Sequence, residues 1–185
     1  MSSQDPHLKE TFPLPTLAAY KVAPNLRSKL IRAKVPPEPA IRPRRLLPGM
    51  KKCGKASCQA CPYVQPGQLF RATATNHTVE LTSQMDCETK NLCYAISCTV
   101  ANCRQQYIGT TYRSLRERFR EHLGDVDKNV GATGKHFNLP GHSKWDMKVT
   151  VLEKVHGRDL WMREEREHEL IRNCNTYYKG INRKI

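Results

Sequence analysis

The stretch that decides the fold is Tyr107-Ile-Gly-Thr-Thr-Tyr-Arg-Ser-Leu-Arg-Glu-Arg-Phe-Arg-Glu-His122. Its beginning, together with the two residues before it, predicts a strand over residues 105–109. Ser114 is followed three residues later by Glu117, which is the pattern of a capping box. A helix is therefore expected to begin at Ser114 and to run to about Leu123, where the following glycine would end it.

The predicted helix carries one apolar stripe and two polar side chains next to it. Leu115, Phe119 and Leu123 recur at i, i+4 and i+8, so they should form the buried face. Arg118 and His122 are four residues apart and share a face beside that stripe. A guanidinium and an imidazole at the rim of a core could grip a phosphate group and orient it. The alternative is a solvated basic helix with an incidental histidine.

Further elements are expected on both sides of this stretch. Residues 92–98 predict a strand that is joined to the strand at 105–109 through the turn 99–104. Another strand is expected over residues 147–155, and a last helix over about residues 159–173.

The last helix places carboxylates where periodicity reserves apolar side chains. Its expected inner face consists of Leu160, Glu164, Glu167 and Ile171, at i, i+4, i+7 and i+11. Burying a carboxylate costs several kcal/mol unless it is paired or metal-bound. Glu167 is therefore a candidate ligand for a hard divalent cation, with Glu164 as the second choice. The alternative is a salt bridge to Arg118 or Arg163 without a metal ion.

Three cysteines lie within one short segment. Cys53, Cys58 and Cys61 have the spacing of soft ligands in a zinc knuckle, because a two-residue gap lets one turn supply two donors. The fourth ligand is predicted to be Cys87. Further candidates for that position are His77, Cys98 and Cys103. The alternative is a set of unconnected buried thiols.

Composition limits the partners of the chain. Its 185 residues contain 31 Lys and Arg against 17 Asp and Glu, a net charge of +14 that points to polyanions. No apolar run approaches the roughly 20 residues of a membrane span, so no membrane partner is expected. The start of the chain does not resemble a secretory signal, so its eight cysteines are expected to be reduced. Residues 1–50 form a Pro-rich basic segment, either a solvated linker or an arm along a phosphate backbone.

These motifs resemble a known superfamily. Tyr94 on one strand, Tyr107-Ile-Gly109 on the next, and Arg118 with His122 on a helix are similar to the GIY-YIG endonucleases. With the cysteine knuckle upstream, the segment from Cys53 onward resembles the C-terminal endonuclease of Penelope-like retroelements, which also have paired cysteines in the hairpin, like Cys98 and Cys103 here. The chain departs from the first motif, since Leu92-Cys93-Tyr94 stands where Gly-Ile-Tyr is typical.

The resemblance implies an α+β fold, with a small antiparallel sheet flanked by helices, preceded by the cysteine knuckle and the basic arm. It divides the chain into the arm at 1–50, the knuckle at 51–90 and a nuclease domain at 91–185. It implies a metal-dependent endodeoxyribonuclease in which Glu167 holds Mg²⁺ or Mn²⁺, while Zn²⁺ in the knuckle is structural.

The resemblance also implies roles for the other side chains. Tyr94 would act as the general base or position the attacking water, assisted by Tyr107, and a nearby cation should favour its phenolate. Arg118 would stabilise charge on the phosphoryl group, and His122 would do likewise or relay a proton. Asn182 would support the site from a C-terminal strand or turn.

The biological role implied is nicking of chromosomal target DNA for retroelement insertion, which places the protein in the nucleus. His136 and His142 could contact DNA or the knuckle, or be ordinary surface histidines. The competing interpretation is a noncatalytic nucleic-acid-binding zinc module on the same scaffold.

Overall fold

A three-stranded antiparallel sheet lies at the centre of the computed structural model, which describes residues 47–156 and 160–182. The sheet consists of β5 (Lys90–Cys98), β6 (Gln106–Ser114) and β7 (Met147–Lys154), in the order β6-β5-β7. The structure confirms the α+β class and the antiparallel hairpin. Most of the predicted N-terminal arm falls outside the described residues.

The central strand β5 is buried on both faces. Leu92 to Ile96 are all 0% exposed, as expected for a strand that is covered by other elements on each side. Tyr94 pairs with Gly109 on β6 and with Val151 on β7. Asn91 has a positive φ of 58°, at the irregularity in the pairing of β5 with β6. This register places Tyr94 in the middle of the sheet.

The two faces of the sheet are covered by different helices. On one face, Tyr94 and Ile96 belong to the same buried cluster as residues of α1 (Leu115–Asp127), such as Phe119. The other face contributes Cys93 and Ala95 to a second cluster, which contains residues of α3 (Leu160–Cys174). Because side chains alternate along a strand, consecutive residues of β5 serve the two clusters in turn.

The capping box at the start of α1 is confirmed, but the predicted end is too early. Ser114 Oγ accepts a hydrogen bond from the backbone N–H of Glu117, whose side chain in turn accepts from the backbone N–H of Ser114. The helix continues through Gly124 to Asp127. The first residue after the helix with a positive φ is Asn129. The left-handed residue that follows the helix is therefore Asn129, and Gly124 lies inside the helix.

The buried face of α3 is shifted from the predicted one. Leu160 is 58% exposed and Glu164 is also exposed, whereas Arg163, Leu170 and Cys174 are buried. With half-buried Glu167, these three residues form the inner face of the helix. Their spacing is the predicted one, but each position lies three residues further along the chain. The buried position of Arg163 is possible because its Nη1 donates a 2.8 Å hydrogen bond to Asn91 Oδ1.

A segment before the central sheet carries short pairings. β1 (Gly49–Met50) runs parallel to β4 (Gln84–Met85), and β2 (Leu69–Arg71) pairs with β3 (Thr78–Glu80) as a hairpin. Tyr63, in a 3₁₀ turn, packs on Phe119 of α1 with ring centroids 5.1 Å apart. Residues on both sides of the predicted boundary at 90/91 thus share one buried cluster, while the division into domains stays a prediction.

Two short helices complete the described part of the chain. α2 (Gly131–His136) follows α1, and α4 (Thr176–Lys179) follows α3. A glycine brings α1 and α2 close together, because a Cβ on Gly134 would lie 2.3 Å from the Asp125 carbonyl oxygen. None of the described helices has the length and apolar character of a membrane span.

Candidate active site

The centre of the candidate site is the phenol of Tyr94. Its oxygen lies 2.7 Å from Nε2 of His122 and accepts a 3.0 Å hydrogen bond from Nε of Arg118. The capping box and the face that buries Leu115 and Phe119 set the position of α1, which carries both partners. The structure therefore brings Tyr94, Arg118 and His122 together, and the spacing of Arg118 and His122 on one face of α1 is as predicted.

Hydrogen bonds connect the phenol, the imidazole and a threonine. The Tyr94 oxygen accepts from Arg118 and lies 2.7 Å from Nε2 of His122. The opposite ring nitrogen, Nδ1, lies 2.9 Å from Oγ1 of Thr133 on α2. In the tautomer that carries its proton on Nδ1, the imidazole donates to Thr133 and its Nε2 accepts the phenol proton. Burial, with Arg118 acting in the same direction, lowers the pKa of His122 to about 3. His122 is therefore a neutral imidazole with a hydrogen-bond partner at each ring nitrogen.

The phenol of Tyr94 does not have the ionisation that was expected for a ready base. Burial raises its pKa far above the ordinary value, and Tyr107 acts in the same direction. Arg118 opposes this shift but does not reverse it. The expectation that a nearby cation favours the phenolate is thus wrong for the free protein, because Tyr94 is 0% exposed and desolvation outweighs the cation.

Tyr107 forms the outer part of the same cluster. Its ring centroid is 6.3 Å from that of Tyr94 and 5.4 Å from that of His122. Burial raises its pKa, while Arg118 opposes the shift. Unlike Tyr94, it is only half-buried, so it is the phenol of the pair that borders solvent.

Gly109 leaves the space that the two phenols occupy. A Cβ at this position would lie 2.8 Å from the Tyr94 oxygen and 3.0 Å from the Tyr107 oxygen. Any side chain at residue 109 would displace at least one of them. The glycine of the Tyr-Ile-Gly motif is therefore explained by packing against both tyrosines.

Glu121 orients Arg118, and the sequence did not single it out. Its Oε2 lies 2.7 Å from Nη1 of Arg118, and its Oε1 forms an ion pair with Arg113. Burial alone would raise the pKa of Glu121, but the hydrogen bonds from the two arginines outweigh it and the pKa is lowered. The i, i+3 spacing from Arg118 on the helix was the available indication.

Glu167 is a half-buried carboxylate without a hydrogen-bond or ion-pair partner among the described residues. Within residues 47–156 and 160–182, it makes no hydrogen bond and no ion pair within 4.0 Å. Arg118 pairs with Glu121, and Arg163 with Asn91, so neither forms the predicted alternative salt bridge. Burial raises the pKa of Glu167 to about 7, although the charge of Arg118 opposes the shift.

The surroundings of Glu167 fit a hard cation. The carboxylate is close enough to Tyr94 and Tyr107 to raise the pKa of both. An unpaired carboxylate in a partly desolvated place is stabilised by a divalent ion, and Mg²⁺ needs few protein ligands because it keeps waters and binds phosphate oxygens. Exposed Glu164, the second choice, adds a negative charge that raises the pKa of Glu167 further.

Asn182 lies at the edge strand β6 and not in the phenol cluster. Its Oδ1 accepts a 2.8 Å hydrogen bond from the Ile108 N–H, and its Nδ2 donates a 2.7 Å hydrogen bond to the Ile108 carbonyl. The amide thus pairs with the free side of Ile108 as a neighbouring strand would. It supports the backbone between Tyr107 and Gly109.

The predicted knuckle cysteines converge. The sulfur atoms of Cys53, Cys58, Cys61 and Cys87 all lie within 4.8 Å of one another. Burial alone raises the pKa of Cys61, but hydrogen bonds from Cys53 and from the backbone at Gly54 bring it down to about 7. Four thiols in this arrangement fit a tetrahedral zinc ion, with Cys87 and not His77 as the fourth donor.

A second group of possible ligands was missed. The donor atoms of Cys98, Cys103, His136 and His142 also lie within 4.8 Å of one another. The cysteines are therefore not alternatives for the knuckle, and the histidines contact this cysteine pair. His142 Nε2 is buried without a hydrogen-bond partner among the described residues, as expected for a metal ligand. The spacing Cys-x4-Cys and His-x5-His was the indication available in the sequence.

No family model matches the chain, and no curated protein matches it. Among solved structures, the catalytic domain of the homing endonuclease I-TevI is similar to it, with a TM-score of 0.44 and 21% identity. That likeness covers 52% of this chain and 100% of the other. What the chain does is therefore inferred from its own side chains.

Proposed function

We propose that this chain is a metal-dependent DNA endonuclease of the GIY-YIG superfamily. The observation that carries the proposal is the hydrogen-bonded cluster of Tyr94, His122 and Arg118 beside the unpaired carboxylate of Glu167. A phenol and a neutral imidazole in contact can transfer a proton, and a guanidinium beside them can bind an anionic phosphate. The net charge of +14 agrees with a polyanionic substrate.

Glu167 would hold Mg²⁺ or Mn²⁺. When bound, such an ion supplies charge stabilisation at the phosphoryl group and lowers the pKa of a coordinated water. The site offers one protein carboxylate, so the remaining positions would be filled by water and by phosphate oxygens.

Arg118 would be the group that exchanges partners on substrate binding. In the free protein its Nε–H donates a hydrogen bond to the Tyr94 oxygen. When the guanidinium turns to a phosphate, that oxygen becomes free to accept a proton. Glu121 keeps the guanidinium within reach through their 2.7 Å ion pair.

The proton of the attacking water would then leave through the tyrosine. Tyr107 orients a water for in-line attack, and the water oxygen forms a bond to phosphorus. The water proton passes to the Tyr94 oxygen as the phenol proton moves to His122 Nε2. The bond from phosphorus to the leaving oxygen breaks, and that oxygen takes a proton from solvent. Burial lowers the pKa of His122 in the free protein, and the charge of Arg118 lowers it further. A bound phosphate offsets the charge of Arg118 and so favours the imidazolium.

The finer assignments belong to the same proposal. The cysteine knuckle, with Cys98 and Cys103 in the hairpin, supports a protein of the Penelope-like type that nicks target DNA in the nucleus for retroelement insertion. The two groups of cysteine and histidine ligands would each hold a structural Zn²⁺. The basic arm at 1–50 and the knuckle at 51–90 would add phosphate contacts to the nuclease domain at 91–185.

The test is nicking of a supercoiled plasmid in the presence of Mg²⁺ or Mn²⁺. The wild-type chain should convert it to open circles, and Glu167→Gln should reduce the rate by at least about 10³-fold, because removal of a metal ligand abolishes the metal's contribution. Glu165→Gln, at an exposed position of the same helix, is the matched control and should retain activity. Equal rates for wild type and Glu167→Gln would reject Glu167 as the metal ligand.

A noncatalytic zinc module that binds nucleic acid is the second candidate. The complete enclosure of Tyr94, with its raised pKa, favours this function. The same plasmid assay separates the two: DNA binding without open circles under either metal ion would support the binding module.

A further inference from the structure

A basic groove lies beside the N-terminal end of the edge strand β6. Three exposed cations border it: Arg71 at the end of β2, Arg104 before β6 and Lys179 at the end of α4. The groove has a volume of about 440 Å³ and none of its lining residues is acidic. Neutral residues such as Thr73 and Asn76 complete the lining.

No carboxylate among the described residues compensates the charge of this groove. In the part of the chain that the structure describes, Arg71, Arg104 and Lys179 form no ion pair and no side-chain hydrogen bond. Four other arginines near the sheet differ, since each of these four pairs with a glutamate. These are Arg113, Arg116, Arg118 and Arg166. Converging cations without a counter-charge attract an external anion.

Gln106 holds the segments that carry the three cations in place. Its side-chain Nε2 donates a 3.1 Å hydrogen bond to the Arg71 carbonyl, and its Oε1 accepts a 3.0 Å bond from the Thr73 N–H. Its own carbonyl accepts a 2.8 Å bond from the Ile181 N–H, two residues after Lys179. Arg104 is tied in through its carbonyl, to which Thr73 Oγ1 donates at 2.8 Å. The groove is therefore built before any ligand arrives.

We infer that this groove binds the phosphodiester backbone of DNA at a distance from the cleaved bond; the inference rests on the proposed function and gives its substrate a second contact. Gln106 and Gly109 are three residues apart on one strand, which corresponds to about 10 Å at about 3.3 Å per residue. That is the axial length of about three base pairs of duplex DNA at about 3.4 Å each. A DNA strand that runs along β6 from the phenol cluster would therefore meet the groove after about three base pairs.

The test compares two triple variants of the full chain that have the same net charge. The first is Arg71→Gln, Arg104→Gln and Lys179→Gln. The control is Lys128→Gln, Lys154→Gln and Arg172→Gln, which removes exposed cations that do not line the groove. Binding to a duplex of about 30 base pairs is measured by fluorescence anisotropy over a range of salt, without Mg²⁺, and melting temperatures verify that both variants fold.

The groove variant should bind at least about tenfold more weakly than wild type at about 0.1 M salt, and the slope of log K against log salt should fall by about 2 to 3. The control should lose less than about threefold. Equal losses of affinity in the two variants, or unchanged binding by the groove variant, would overturn the inference that the groove binds DNA. The endonuclease proposal would be unaffected by that result. A wild-type chain that binds no duplex would overturn both. A wild-type chain that binds through the groove but never nicks DNA would remove only the proposed catalytic activity.

Discussion

The Tyr94 oxygen and Nε2 of His122 lie 2.7 Å apart although the two residues are 28 positions apart in the sequence. Both are buried, and the imidazole is neutral because burial lowers its pKa to about 3. A neutral imidazole beside a phenol is an acceptor for the phenol proton. The pair thus gives the candidate site a path along which a proton can move.

Substitution of His122 tests this path. His122→Ala removes the acceptor of the Tyr94 proton and should lower the plasmid nicking rate by about 10² to 10⁴-fold, as is typical for loss of acid–base assistance. The measurement is the single-turnover rate at saturating DNA. His168→Ala, which changes an exposed histidine of α3, is the control and should leave the rate unchanged. Full activity of His122→Ala would show that the imidazole takes no part in the reaction.

The raised pKa of Glu167 predicts a pH-dependent stability. The folded-state pKa is about 7 and the usual value is 4.5, so the folded state holds the proton more tightly. The free energy of unfolding should therefore fall as the pH rises from about 4.5 to 7. Above pH 7 the carboxylate is ionised in both states, and the whole destabilisation is present. Glu167→Gln should raise stability by about 1 to 2 kcal/mol at pH 8, after allowance for partial solvent exposure, and by little at pH 5.

Thermal unfolding at the two pH values measures this effect. Mg²⁺ should also raise the melting temperature of the wild type at pH 8, because the ion binds Glu167 in the folded protein and not in the unfolded chain. The melting temperature of Glu167→Gln should not respond to Mg²⁺. Identical responses of the two proteins to Mg²⁺ would contradict a metal site at Glu167.

The packing of Gly109 predicts a large effect from one methyl group. Gly109→Ala places a Cβ 2.8 Å from the Tyr94 oxygen, so it should displace the phenols, lower stability by about 1 to 3 kcal/mol and strongly reduce nicking. Gly124→Ala is the matched control, because a Cβ there meets nothing within 4 Å inside α1. It should stabilise the protein by up to about 1 kcal/mol. Denaturant unfolding and the plasmid assay measure both variants; wild-type activity in Gly109→Ala would refute the packing explanation.

The two ligand groups predict the metal content. Elemental analysis of the purified protein should find two zinc ions per chain. Cys61→Ser and Cys103→Ser should each remove about one of them, since each variant loses a thiolate from a different group. Chelation should lower the melting temperature by destabilising both groups. Loss of both ions in the same single variant, with the fold retained, would contradict two independent sites.

The sequence predicted those features that depend on local spacing. The capping box at Ser114, the arrangement of Arg118 and His122 on one helix face, and the first cysteine group all follow from residues that are close in the chain. The tertiary consequences were harder to predict. Glu167 was identified, but the predicted inner face of its helix was displaced, because nothing local shows that Asn91 accepts the buried guanidinium of Arg163.

The second ligand group shows the same limit. Its cysteines bracket a hairpin turn, whereas its histidines lie more than 30 positions later, and they meet only because His136 at the end of α2 reaches the hairpin turn at Cys103. The ionisation of Tyr94 also depends on packing, because burial by other segments outweighs the arginine on the neighbouring helix.

The position of Tyr94 on the central strand separates the candidate site into two parts of unequal local stability. β5 is covered on both faces and hydrogen-bonded on both edges, so its amides should exchange only through global unfolding. Glu167 belongs to α3, which has few buried side chains, namely Arg163, Leu170 and Cys174. On warming, α3 is expected to detach first, so that the carboxylate is lost from the site while the tyrosine and histidine remain paired.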